Sequence, residues 1–186
     1  YWKFYYMDVK GMSTYSGFDW CAGFVMYVLH EAGVAAIKGT PEEDEERTIP
    51  DVEKVNLSCT KMRDNVVSGV LPGSYHIAKK NGSSVTWEGY DGSTSYTPRA
   101  GDIVLYSTNS GSTCKHTAIV VKVAENGDVI TVGGNEGYSS GATDYTNSWV
   151  NRSNKGVGGV ERGGYNYIFY WTPPYKMVTV NGYSGS

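Results

Sequence analysis

From Cys21 onward, apolar residues fall at Phe24, Val25, Val28, Leu29 and Ala32. These steps of three and four line one face of a helix. Gly33 follows as a residue suited to the left-handed stop just past a helix end. Asp19 or a neighbour could cap the other end, which places Cys21 among the unpaired first-turn amides. Two shorter helices are predicted around residues 59–67 and 74–80. The segment "NGSSVTWEGYDGSTSYTPRAGD" (81–102) has the Gly, Ser and Asp density of turns flanking short strands. Beyond it the pattern changes. "DIVLYS" (102–107), "KHTAIVVKVA" (115–124), "DVITVG" (128–133) and "YNYIFYWT" (165–172) are rich in β-branched and aromatic residues and read as strands. Helices first and antiparallel strands afterwards predict an α+β domain, with no internal repeat and no second domain.

The length of 186 residues suits one domain with a single sizeable core. A net charge of -3 carries no electrostatic footprint for nucleic acid. It also gives no unaided attraction to anionic membranes or acidic wall polymers. No apolar run approaches the roughly 18–20 residues of a membrane span. Neither nucleic acid nor membrane is therefore expected as a partner. The acidic stretch "TPEEDEERTIP" (40–50) reads as a solvated connector, since its carboxylates are not spaced as calcium ligands. The 24 glycines and 16 tyrosines suit a loop-rich secreted or cell-surface protein. The chain opens at Tyr1 without a signal peptide and trails into "NGYSGS". That is compatible with a piece of a longer protein whose export signal and further domains lie elsewhere. The expected division is a domain over 1–175 and a tail or linker over 176–186.

Three cysteines, Cys21, Cys59 and Cys114, contain no C-x-x-C and make neither a disulfide framework nor a zinc site. Cys59 and Cys114 are read as structural or incidental thiols. Cys21 differs because the dipole at a helix start favours a thiolate, which makes it the candidate nucleophile. Of the three histidines, His30 and His76 fall within predicted helices and are assigned surface or structural roles. His116 opens an apolar strand directly after a loop, where a side chain can face a cleft.

"ENGD" (125–128) joins two predicted strands and carries the Asn-Gly hairpin signal. If Asn126-Gly127 is a two-residue turn, Glu125 pairs with Asp128 and His116 lies opposite Gly137. Asn135 is then a diagonal neighbour of His116 on the same face, roughly 7–8 Å away at the backbone. Glu136 pairs with Thr117 and points to the other face, unless a bulge shifts the register by one. Asn135 is therefore the expected partner of the imidazole. Cysteine, histidine and an amide or carboxylate orienter form a triad by role.

The blocks "DWCAGFVMYVLHEAG", "PRAGDIVLYS", "KHTAIVVKV" and "VITVGGNEG" occur in the order seen in the CHAP family, the cysteine, histidine-dependent amidohydrolases/peptidases. The resemblance runs from Tyr1 to about Pro174. It implies a papain-like fold with N-terminal helices packed on a small antiparallel sheet, a nucleophile at Cys21 and a histidine at His116. The family's third motif commonly reads E-G-N; here it is Gly133-Gly134-Asn135, which leaves Asn135 as orienter. Some members place closely spaced calcium-binding aspartates before the cysteine. Only Asp8 and Asp19 stand there, so neither a metal nor a cofactor is expected.

The implied substrate is bacterial peptidoglycan, cut at an amide: a stem-peptide or cross-bridge bond in preference to the muramoyl–L-alanine bond. The implied setting is extracellular or the cell wall, as in a phage lysin, a tail- or conjugation-associated hydrolase or a wall-remodelling enzyme. Two other readings stand beside it. The aromatic residues could serve a non-catalytic wall-binding module, and the same triad could serve a papain-like protease or toxin acting on proteins.

Overall fold

The computed structural model describes residues 20–34, 58–82, 84–108, 111–136, 149–160 and 164–175. Among these residues two helices come first: α1 (Cys21–Glu31) and α2 (Cys59–Val67). Seven strands follow: β1 (Ser74–Asn81), β2 (Ser84–Gly89), β3 (Ile103–Ser107), β4 (Cys114–Val123), β5 (Asp128–Glu136), β6 (Trp149–Val157) and β7 (Tyr167–Thr172). They form one sheet in the order β2-β1-β7-β3-β4-β5-β6, antiparallel throughout. The last strand therefore inserts between β1 and β3 and joins the two halves of the sheet. The domain is α+β. None of the helices described is long and apolar enough to cross a membrane.

Helix α1 ends as its sequence predicts. Gly33 adopts φ +69, its N–H bonds to His30 O at 2.9 Å, and Val34 N–H bonds to Leu29 O at 3.0 Å. This pair of bonds satisfies carbonyls that the last turn would leave open. At the start, Trp20 occupies the cap position without a side-chain capping bond; Asp19 lies outside the described residues. The connector at 40–50, Asp8 and the tail at 176–186 also lie outside them.

Two apolar clusters use the two faces of the sheet. In the first, Trp20, Val25, Met26 and Leu29 join Met62 of α2 and Ile103, Leu105, Phe169 and Trp171 of the central strands. In the second, Ala78, Val104, Tyr106, Ala118, Val120, Ile168 and Tyr170 lie together. Alternating residues of β3 and β7 feed both clusters, which is why their sequences read as continuous apolar runs. Asp102, fully buried just before β3, accepts from Tyr96 Oη (2.7 Å), Arg99 N (2.8 Å) and Thr172 Oγ1 (2.8 Å). A buried carboxylate is tolerated because it is bonded this way.

Three local expectations are corrected. Residues 74–80, expected as a helix, are strand β1, paired on one edge with β2 and on the other with β7. Tyr75 and Ile77 pack toward the first cluster while Ala78 enters the second, a period of two that two neighbouring strands reward. His76 is accordingly a strand residue, its ring stacked on Tyr96 at 3.8 Å. Strand β6 was not anticipated, because its sequence WVNRSNKGV is polar and Gly-containing.

The third correction concerns the hairpin. Ala124, not Glu125, faces Asp128: Ala124 N–H bonds to Asp128 O, and Gly127 N–H bonds back to Ala124 O, each at 2.9 Å. Gly127 takes φ +86. The turn is thus a three-residue loop closed by a left-handed glycine. A bulge at Val121 then shifts the ladder again, from Lys122↔Ile130 to Val120↔Thr131 and Ile119↔Val132.

Candidate active site

Cys21 is the first residue of α1 and is buried. Its position is set by the approach of the helix to β5. A Cβ on Gly134 would lie 2.7 Å from Cβ of Phe24 and closer still to the Trp20 ring. Only a residue without a side chain lets the first turn of α1 seat here. The second helix is tied to the beginning of β4. Thr60 Oγ1 accepts from Cys114 N at 3.0 Å and donates to Cys114 O at 3.3 Å, while Arg63 Nη2 donates to Ser112 O at 2.7 Å. Cys59 opens α2, and these ties bring its Sγ to 3.6 Å from Cys21 Sγ. Two helix starts thus meet at one pair of sulfurs.

The thiol of Cys21 is held well below the ordinary cysteine range. The hydrogen bond from Cys59 contributes most; burial opposes it; His116 adds a hydrogen bond and positive charge, and the Thr117 backbone a further bond. Cys59 is pushed well up, first because it is the donor to Cys21 and then by burial. The pair holds its negative charge on Cys21, the member that His116 also serves. Cys114 is raised to about 11, mainly by burial, and stays a thiol.

His116 is buried near the start of β4, its ring stacked on Tyr106 at a centroid distance of 6.0 Å. Its Nε2 lies 2.9 Å from Oε1 of Glu136, itself buried. The carboxylate reaches the ring because β5 loses its alternation just before it. Asn135 adopts φ +58, the single positive φ outside glycine among the described residues. The pairing of β5 with β6 slips between Gly133 and Glu136. Gly133 leaves the necessary room, since a Cβ there would stand 2.8 Å from the Glu136 oxygen and 3.3 Å from His116 Nε2.

Cys21 and His116, which spacing alone did not bring together and only the family resemblance paired, lie side by side, whereas the expected register for Asn135 is corrected. It rested on a two-residue turn and an unbroken β5. The three-residue loop, the Val121 bulge and the left-handed Asn135 instead turn Glu136 onto the ring. The carboxylate next to Asn135 in "GGNE", combined with the bulge already weighed, was the available signal. Cys59, 38 residues from Cys21, carried none. His30 stays at the surface end of α1 beside Glu31. Among the described residues no group of three or more His, Cys, Asp or Glu side chains could hold a metal ion.

A thiol at a helix start, an imidazole and a buried carboxylate on that imidazole are the parts of a cysteine-dependent acyl-transfer site. The family model described as CHAP domain matches residues 13–135, more than half of the chain. The chain belongs to this family of cysteine- and histidine-dependent amidohydrolases and peptidases. Its general activity is of the peptidoglycan hydrolase or amidase type. No curated protein and no solved structure gives a significant match.

Proposed function

We propose that this domain hydrolyses an amide bond of bacterial peptidoglycan by acyl transfer in a papain-like site, with Cys21 as nucleophile, His116 as proton carrier and Glu136 as orienter. The observation that carries the reading is the buried His116–Glu136 bond of 2.9 Å beside a thiol at the start of α1. Glu136 accepts a hydrogen bond from Nε2–H, which leaves Nδ1 as the nitrogen that exchanges a proton with the thiol. The Cys21 sulfur attacks the amide carbonyl, and the amides of the first helical turn support the oxyanion. His116 gives its proton to the leaving amine. Water, deprotonated by the same imidazole, then splits the thioester and restores the thiol. Asn135 keeps the conformation that delivers Glu136 and is a positioning residue in this scheme. Such a substrate places the work at the cell wall, outside the cytoplasmic membrane.

The test is digestion of purified peptidoglycan by the wild-type chain and by Cys21→Ala. The wild type should release new amino groups without new reducing ends, because a Cys–His–Glu site performs acyl transfer and, among the described residues, Glu136 has no second carboxylate paired with it for glycoside hydrolysis. Cys21→Ala should release none while keeping its fold by circular dichroism. New N-terminal amines within stem or cross-bridge fragments indicate an endopeptidase; glycan strands stripped of peptide indicate the muramoyl–L-alanine amidase. Undiminished hydrolysis by Cys21→Ala, or new reducing ends without new amines, would overturn the mechanism.

A further inference from the structure

Acyl transfer uses one of the two sulfurs that meet at the helix starts and leaves Cys59 unexplained. A buried thiol 3.6 Å from the candidate nucleophile is placed for chemistry that a serine or alanine in its position could not perform. We propose that Cys21 and Cys59 form a reversible disulfide under peroxide, switching the site off and protecting its nucleophile from further oxidation. The proposal rests on Cys21 being the nucleophile of the reading above.

Four features of the site support it. The sulfurs need to close from 3.6 Å to about 2.05 Å in a disulfide. Both residues are the first of their helices, where one turn can shift without breaking the interior hydrogen-bond ladder. Both sulfurs are buried; the opening that an amide carbonyl needs to reach Cys21 in the proposed reaction also admits the smaller peroxide, and Cys59 needs no separate path because it lies against Cys21. Charge is also distributed for this chemistry. Cys21 is the more acidic sulfur and the attacking thiolate, and Cys59 retains its proton.

The chemistry proceeds in two steps. The Cys21 thiolate attacks one oxygen of hydrogen peroxide; an S–O bond forms, the O–O bond breaks, and a sulfenic acid and hydroxide result. Cys59 sulfur then attacks the Cys21 sulfur; the S–S bond forms, the S–O bond breaks, and the oxygen leaves as water with the Cys59 proton. The hydroxide takes up the proton that Cys21 gave up on ionising, so overall the two thiols give up two electrons and the peroxide becomes two waters. A small dithiol reverses the lock by exchange, returning both thiols. Cys59, not Cys114, is the partner because the sulfur in contact with Cys21 is that of Cys59.

The experiment treats the intact chain with hydrogen peroxide, blocks free thiols, and maps peptides by mass spectrometry before and after dithiothreitol. The wild type should lose about 2 Da, yield a Cys21–Cys59 cross-linked peptide, lose hydrolysis, and recover both mass and activity on reduction. Cys114→Ser should behave in the same way. In Cys59→Ser, Cys21 should instead gain about 32 Da as the sulfinic acid, which reduction does not reverse. A wild type that takes up two oxygens on Cys21 without a cross-link, or a link through Cys114, would overturn the proposal even if Cys59→Ser proved unfolded. Because mass reads the bond independently of turnover, a Cys21–Cys59 link in a chain that cuts no peptidoglycan would fault the enzymatic reading and leave the disulfide standing.

Discussion

Removing the Glu136 carboxylate tests the constellation most directly, because it leaves Cys21, His116 and the helix start in place. The bond to be lost joins two buried groups at 2.9 Å. A hydrogen bond to a charged group in such surroundings contributes about 1.5–3 kcal/mol. If it orients the imidazole and stabilises its charged form in the transition state, Glu136→Ala should lower kcat/KM by about 10- to 150-fold, at about 1.4 kcal/mol per factor of ten. Glu136→Gln should lose less, since its amide oxygen can still accept from Nε2. Asn135 supplies the control. Its φ of +58 is a conformation glycine adopts without strain, so Asn135→Gly keeps the turn and deletes the side chain. Turnover of a soluble stem-peptide fragment, with folding checked by thermal melting, should rank wild type and Asn135→Gly well above Glu136→Ala. Equal losses in Asn135→Gly and Glu136→Ala, with both chains folded, would refute the role given to the carboxylate.

Two further outcomes follow from the packing around the sulfurs. Gly134→Ala puts a methyl 2.7 Å from Cβ of Phe24 and against the Trp20 ring. The overpacking should cost about 1–3 kcal/mol, seen as a lower Tm, and should reduce kcat by displacing the first turn of α1. Cys59→Ala removes the largest contribution to the lowered Cys21 thiol, so thiolate formation, followed by ultraviolet absorbance or by the pH dependence of alkylation, should move to higher pH. The sign follows from the role of the bond: it stabilises the anion, and without it a higher pH is needed to form that anion. Cys59→Ser keeps a donor and should restore part of the shift; an unchanged titration in Cys59→Ala would show that the thiol contact does not hold the charge.

Much of this protein was legible in its sequence because it depends on local rules. The amphipathic spacing from Cys21, its end at Gly33, and the β-branched and aromatic runs at β3, β4, β5 and β7 each follow from neighbours a few residues away. The placement of Cys21 in a first helical turn follows from the same pattern, and with it the candidate nucleophile. His116 at the start of an apolar strand was legible on similar grounds. The errors fall where local preference is weak and distant partners decide. Residues 74–80 suit either helix or strand on composition, and only β2 and β7 on their two edges make them a strand.

Which side chain meets the His116 ring was decided by tertiary structure alone. A three-residue turn, a bulge at Val121 and a left-handed Asn135 each displace the register by small steps, and side chains change face with every step of one. No alternating pattern could reveal the sum of those displacements, since Asn135 and Glu136 are adjacent and both polar. Cys59 was beyond reach for a different reason. Its contact with Cys21 depends on α2 being tied to the start of β4 through Thr60 and Arg63. That tie joins residues about fifty positions apart, a separation over which sequence spacing carries no geometry.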